Sequence, residues 1–285
     1  NSFTKFFGGQ GTEEMLVTDV FTAGKLKEYE AWLRSRNASW NTVSTYMRVL
    51  KAVYNRLVEA KRLTYDARLF DSVYTKVEAQ SKRSLTEEQM NTLLHTDFEK
   101  LPEDVQNVLA YFLLMFLFRG MPFIDMAYLR KQDLKEHCIT YCRHKTGKKM
   151  VVRIPHEATA LFEKCRNKKT DSGYLFPILD ETTENDKKLY KNYRQALRTF
   201  NRKLAKMAAL LLPGTNISSY TARHTWATLA FYSGIPIGII SKALGHSSIK
   251  VTETYLKPFE NEKVDAANDE LIMSVVKRSK EKIVA

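Results

Sequence analysis

Cysteine is scarce in this chain of 285 residues, and its three copies, Cys138, Cys142 and Cys165, form no CxxC pair and leave one over. A disulfide scaffold and a zinc knuckle are thereby disfavoured, and reduced thiols in a cytoplasmic setting are expected. Long apolar runs are also missing. The longest, Val108 to Phe118, falls far short of the roughly 20 residues a bilayer span needs and reads instead as a buried core helix. With 11 Gly and 7 Pro and no internal repeat, the chain is neither collagen-like nor low-complexity. Acidic residues are the last deficit: 32 Asp and Glu face 45 Lys and Arg, a formal charge of +13. An excess of that size favours a polyanionic partner, nucleic acid before any anionic membrane.

The apolar content, 44%, is that of an ordinary globular core, and the length allows one large domain or two ordinary ones. From Thr22 to about Ala60 apolar positions recur at helical spacing, first Leu26, Tyr29 and Leu33, then Val43, Met47, Leu50, Tyr54, Leu57 and Val58. Two long helices split near Asn37 are predicted, and a third helical stretch over Asp66 to Val77. Residues 78–84 are polar and aperiodic and read as an interdomain linker, which sets domains at 1–83 and 84–285. Both are basic, with 14 Lys and Arg against 9 acids in the first and 31 against 23 in the second, as a clamp around one polyanion would be. Thr86 and Gln89 have capping-box spacing and announce a helix to about Thr96. After Leu134 the period changes: Ile139 to His144 and Met150 to Ile154 read as short strands, with Lys145 to Lys149 as their turn. Beyond Pro155 the pattern is helical over about 157–168, 186–209, 219–233, 237–244 and 248–257. Gly234 and Gly245 stand where left-handed helix ends belong, and Pro258 stops the last helix. The expected fold class is mainly α with a small β-hairpin or sheet.

Chemistry concentrates near the carboxyl end, in Tyr220-Thr-Ala-Arg223-His-Thr-Trp-Ala-Thr228, then Leu244-Gly-His246, then Val251-Thr-Glu-Thr-Tyr255-Leu. This cluster resembles the tyrosine recombinases, or phage integrase family, especially integrases of conjugative or mobilisable elements. The resemblance spans about residues 20–258, and it implies a helical core-binding domain over 1–83 followed by a mostly α catalytic domain over 84–285. It also implies a site-specific recombinase or integrase in which a tyrosine attacks a DNA phosphate, forms a 3'-phosphotyrosyl link and releases a 5'-hydroxyl, with no cofactor and no metal. A type IB topoisomerase is the nearest enzymatic alternative, and a catalytically silent DNA-binding regulator is the alternative from another class.

Carried onto this sequence, the resemblance makes Tyr255 the nucleophile, Arg119 and Arg223 the phosphate-binding arginines, His246 the later histidine and Lys145 the lysine of the hairpin turn. The chemistry fits those residue types. Charge gathers on nonbridging oxygens during phosphoryl transfer, and planar guanidinium groups match them in a way lysine cannot. A lysine in a hairpin turn can protonate the leaving 5'-oxygen. Lys145 competes in that role with Lys148 and Lys149, and Lys-Thr-Gly is the best match. Tyr220 stands where the family more often has histidine; a phenol can exchange a hydrogen bond with phosphate but cannot supply a near-neutral proton. His224 is expected to pack against or support Arg223. Asp125, six residues after Arg119 where the family places an acid three after, is expected to orient an arginine, with a solvated helix cap as the alternative.

In the first domain Asn41, Thr42, Ser44, Thr45, Arg48 and Lys51 give one helix a polar, basic face suited to phosphates and base edges. Leu271 to Val276 followed by Lys277 to Lys282 is expected to dock as an amphipathic helix, on its own domain or a neighbouring protomer. The partners expected are duplex DNA and further copies of the chain, a tetramer on DNA and a monomer when free, with accessory DNA-bending factors and no membrane.

Overall fold

A computed structural model describes residues 2–8, 16–76, 84–180, 185–256 and 264–273. The chain divides into two compact units, Asn1–Ser81 and Lys82–Ala285. The polar segment 78–84 and Pro258 lie outside the described residues, except for Ser84.

The first unit contains α1 (Ser2–Phe6), α2 (Val17–Val20), α3 (Ala23–Ser35) and α4 (Trp40–Glu59). Helix α3 starts where Thr22 accepts the Lys25 amide, and α4 where Ser39 accepts the Thr42 amide. Asn37, with φ of 59°, makes the left-handed break between them, a conformation Asn tolerates better than most residues. Leu26, Tyr29 and Leu33 of α3 bury against the stripe Val43, Met47 and Tyr54 of α4, while Phe3 and Phe6 pack on the same cluster. The helix expected over Asp66–Val77 does not form over 66–76. Leu69, Phe70 and Val73 are buried as its pattern requires, yet they sit in a chain of turns. Local side-chain bonds offer the backbone another solution: the Arg68 amide donates to Asp66 at 2.8 Å, and the Tyr54 hydroxyl donates to Thr64 O and accepts the Asp66 amide.

The second unit opens with α5 (Glu87–Leu94), held by the reciprocal Thr86–Gln89 capping box. Next come α6 (Glu103–Leu117), buried along most of its length, and α7 (Phe123–Tyr128). A three-stranded antiparallel sheet follows, β1 (Leu134–Lys135), β2 (Cys138–Cys142) and β3 (Lys149–Arg153), in the order β1-β2-β3 with Thr140 opposite Val151. Two-residue β1 is an addition to the expected hairpin. Helices α8 (His156–Cys165), α9 (Asp186–Leu211), α10 (Thr221–Tyr232), α11 (Ile237–Leu244) and α12 (Ile249–Glu253) complete the unit, with a further helical stretch over 264–273. Helix α12 is shorter than the sequence pattern implies. The large core joins α6, the sheet, α8 and α9, while Ala227, Ala230, Ile240, Leu244 and Leu256 form a smaller one beneath α10 to α12. Leu271, Ile272 and Met273 are exposed, and the rest of the expected docking segment lies outside the described residues. Among the described residues no helix is long and apolar enough to cross a membrane.

Candidate active site

Helix α10 is fixed at three points. Thr225 accepts the Leu85 amide at 2.9 Å, Ser219 donates its amide to Asn201, and Thr228 donates to the carbonyl of Tyr255 at 3.3 Å. These bonds set Arg223 deep in the unit, 2% exposed. Its Nη1 donates to Gly120 O at 2.9 Å, and its Nη2 donates to Leu244 O and approaches His246 Nε2 at 3.0 Å. Close approach requires Gly120: its φ is 66°, and a Cβ there would lie 3.0 Å from the Arg223 Cα.

Helix α11 ends at Gly245 in the left-handed conformation, with the His246 amide donating back to Ser241 O. That ending turns the carbonyls of Leu244 and Gly245 toward the site and presents His246. An arginine donates only, so Nε2 of His246 accepts from Arg223, and Nδ1 carries the proton that it gives to buried Thr252 Oγ1 at 2.9 Å. Burial first, then the charges of Arg223 and Arg143, push the His246 pKa down to about 4. His246 is therefore neutral at pH 7 and holds Arg223 in place rather than storing a proton. Its unfolded value is near 6.5, so unfolding takes up a proton as pH falls through 6.5, and the folded chain loses stability until about pH 4. Relative to His246→Gln, the parent should lose about 2 kcal/mol more between those limits, after allowance for solvent screening. Urea unfolding at stepped pH measures this; parallel profiles would remove the assigned proton state.

Tyr255, just past α12, is half-buried, with its ring stacked on His224 at 4.5 Å and tilted against His246 at 4.9 Å. The Arg223 guanidinium carbon lies 5.6 Å from the same ring. Tyr220 precedes the first residue of α10 and is 46% exposed; desolvation of its phenol, then the neighbouring Tyr255, raises its pKa. Lys145 sits exposed in the β2–β3 turn, close enough for its charge to act on His246, and Lys148 donates to His246 O at 3.2 Å. Arg223, His246, Tyr255 and His224 are thus brought together, Lys145 and Tyr220 stand at the margin, and Arg119 is not drawn in. The Arg119 side chain is exposed and reaches Val151 O at 3.4 Å, while its turn supports Arg223 through Gly120.

The arginine that Asp125 bonds is Arg143. Buried Asp125 accepts the His144 amide at 2.9 Å and Arg143 Nε at 3.4 Å. Burial raises its carboxyl above the ordinary carboxylate range, and the His144 amide and Arg143 pull it back. Arg143, 5% exposed, also donates Nη1 to Leu244 O at 3.0 Å and Gly245 O at 3.2 Å. The sequence reading did not single it out, placing it inside the strand Ile139 to His144. A signal existed: it has the parity of Ile139 and Tyr141, the buried residues of β2.

On α4, Thr42, Thr45, Arg48 and Lys51 are exposed along the helix, and Asn41 is half-buried. Ser44 is a correction. It is fully buried, on the same arc as Val43 and Met47, because helical geometry places positions 43, 44 and 47 together against α3. It cannot face a ligand with the others.

Residues 83–262 match the phage integrase family, and the chain belongs to that family. A tyrosine recombinase XerA of Pyrococcus furiosus is 26% identical over 243 residues, 83% of this chain and 76% of the relative. Transposase B of transposon Tn554 from Staphylococcus aureus is 27% identical over 257 residues, 82% of this chain but 38% of the transposase. Among solved structures, the Tn1549 transposon integrase in complex with circular intermediate DNA gives a TM-score of 0.60 at 18% identity, covering 86% of this chain and 84% of the other. A lambda integrase dimer bound to a core site gives 0.63 at 15% identity, covering 89% and 85%. At those identities the likeness to the solved structures is one of fold.

Proposed function

We propose that this chain is a site-specific DNA recombinase of a mobile element, cutting and rejoining strands through a 3'-phosphotyrosyl intermediate on Tyr255. The observation that carries the reading is the juxtaposition of buried Arg223, held by Gly120 O, Leu244 O and His246, with the Tyr255 ring stacked on His224 and tilted against His246. Family membership and the recombinase, integrase and transposase names of its relatives support the same reading. In the step proposed, Tyr255 Oη bonds to phosphorus as the bond to the 5'-oxygen breaks. The phenol gives up one proton to water, and the leaving oxygen takes one from Lys145. Arg223 neutralises the nonbridging oxygens, where preorganised donors act most strongly on developing charge. The exposed face of α4, from Thr42 through Thr45 and Arg48 to Lys51, contacts the duplex, and the recombining assembly contains several copies of the chain together with DNA-bending factors.

Covalent capture tests the reading without knowledge of the target. Purified protein is mixed with fragmented genomic DNA of its source organism, denatured in detergent, and the protein-linked fragments are sequenced. Fragments ending at one common site, and a DNA-linked peptide containing Tyr255, are expected. DNA bound but never linked would replace the reading with a silent regulator, and relaxation of a plasmid carrying the site without recombinant products would replace it with a topoisomerase.

A further inference from the structure

Two guanidinium groups lie buried together in this site, and the charge around them does not balance. Arg143 and Arg223 both donate to one carbonyl, Leu244 O. Among the described residues the acid paired with either is Asp125 alone, and His246 is neutral. Two cations against one carboxylate in a poorly solvated pocket leave an excess positive charge, and an anion seated between them would relieve it. Donors open to such an anion remain on both guanidinium groups. Arg223 has its terminal nitrogens bonded to Gly120, Leu244 and His246, and its buried Nε has no partner among the described residues. Arg143 has Nε on Asp125 and Nη1 on Leu244 and Gly245, while its Nη2 has no protein partner among the described residues and is not sealed from solvent.

Its surroundings fix that nitrogen in place. Asp125 grips the Arg143 side chain and the His144 amide together, and the Arg143 carbonyl accepts the Gly147 amide at 2.8 Å to close the turn that carries Lys145. Gly245 leaves the room the side chain occupies, since a Cβ there would lie 2.8 Å from Arg143 Cδ. Arg119 has none of this support: its side chain is exposed, with one long bond to Val151 O. We infer that Arg143, rather than Arg119, is the second arginine that binds the scissile phosphate, its Nη2 donating to a nonbridging oxygen. Asp125 and the carbonyls of Leu244 and Gly245 are its positioning groups. The inference rests on the strand-transfer reading above. The charge of Arg143 is also among those that act on Arg223, His246 and Tyr220, which agrees with its central place.

The test uses a duplex built on the captured site and nicked beside the cleavage point, made with an ordinary scissile phosphate or with an uncharged methylphosphonate there. Arg143→Gln should slow covalent-complex formation on the phosphate about 100-fold or more, as for loss of a preorganised donor to developing charge. The methylphosphonate, which needs no neutralisation, should restore most of the rate. Arg119→Gln should stay within about threefold of the parent on both, as for an exposed side chain outside the chemistry. Arg143→Lys keeps the charge but not the fork, so it should slow the phosphate reaction less than Arg143→Gln does, and it serves if Arg143→Gln does not fold. An unslowed Arg143→Gln, a slowing that the methylphosphonate does not relieve, or rescue confined to Arg119→Gln would each overturn the assignment. A parent chain that forms no covalent complex on the ordinary duplex would instead sink the strand-transfer reading.

Discussion

Tyr255→Phe is expected to abolish the covalent DNA complex altogether while leaving DNA binding within about twofold of the parent. The substitution removes one oxygen and keeps the ring, so the stacking on His224 at 4.5 Å and the contact with His246 at 4.9 Å persist. The bond from Thr228 to the Tyr255 carbonyl is also untouched. A residual adduct on any other residue, Tyr220 in particular, would reassign the proposed nucleophile. Denaturing electrophoresis of the nicked duplex after incubation, paired with a binding titration, separates the two quantities.

Arg223→Lys should be nearly as severe, slowing covalent-complex formation by roughly 1000-fold despite its conserved charge. One ammonium cannot reproduce the fork that spans Gly120 O, Leu244 O and His246. The shorter head leaves at least one buried carbonyl without its donor, so a stability loss of about 2 kcal/mol should accompany the kinetic one. Single-turnover rates and urea unfolding of the same preparation measure both. A variant that cleaves at more than a tenth of the parent rate would show that Arg223 supplies charge alone.

The resemblance grouped these two residues and the fold brings them together, while much of their scaffold was legible because its signals were local. Thr86 and Gln89 cap α5 within one turn, Gly245 needs only its own φ, and the stripes of α3 and α4 repeat every three or four residues. Readings failed where a distant partner decides. Arg143, within the expected strand Ile139 to His144, carries no local mark of its partners, since α7 brings Asp125 and α11 brings its terminal carbonyls only on folding. Ser44 is polar by type, and only the packing of α4 on α3 shows it to be interior. At Asp66–Val77 the spacing correctly marked buried positions, but side-chain bonds from Asp66 and Tyr54 won the backbone from the helix. The resemblance expects the Arg119 side chain at the phosphate, and its exposed position follows from a left-handed turn, φ 59°, that no local pattern marks.

The last carbonyls of α11 have a consequence for how the chain is made. Leu244 O anchors Arg143 and Arg223, which precede it by 101 and 21 positions, so both leave the ribosome before their anchor exists. Contacts of such long sequence separation form late, after the intervening chain has closed its loops. A translation product that ends between residues 224 and 243 contains both cations but lacks Leu244, Gly245, His246 and Tyr255. On the strand-transfer reading, an unfinished polypeptide is unable to break DNA, and the hazard of the reaction is withheld until synthesis has passed the nucleophile.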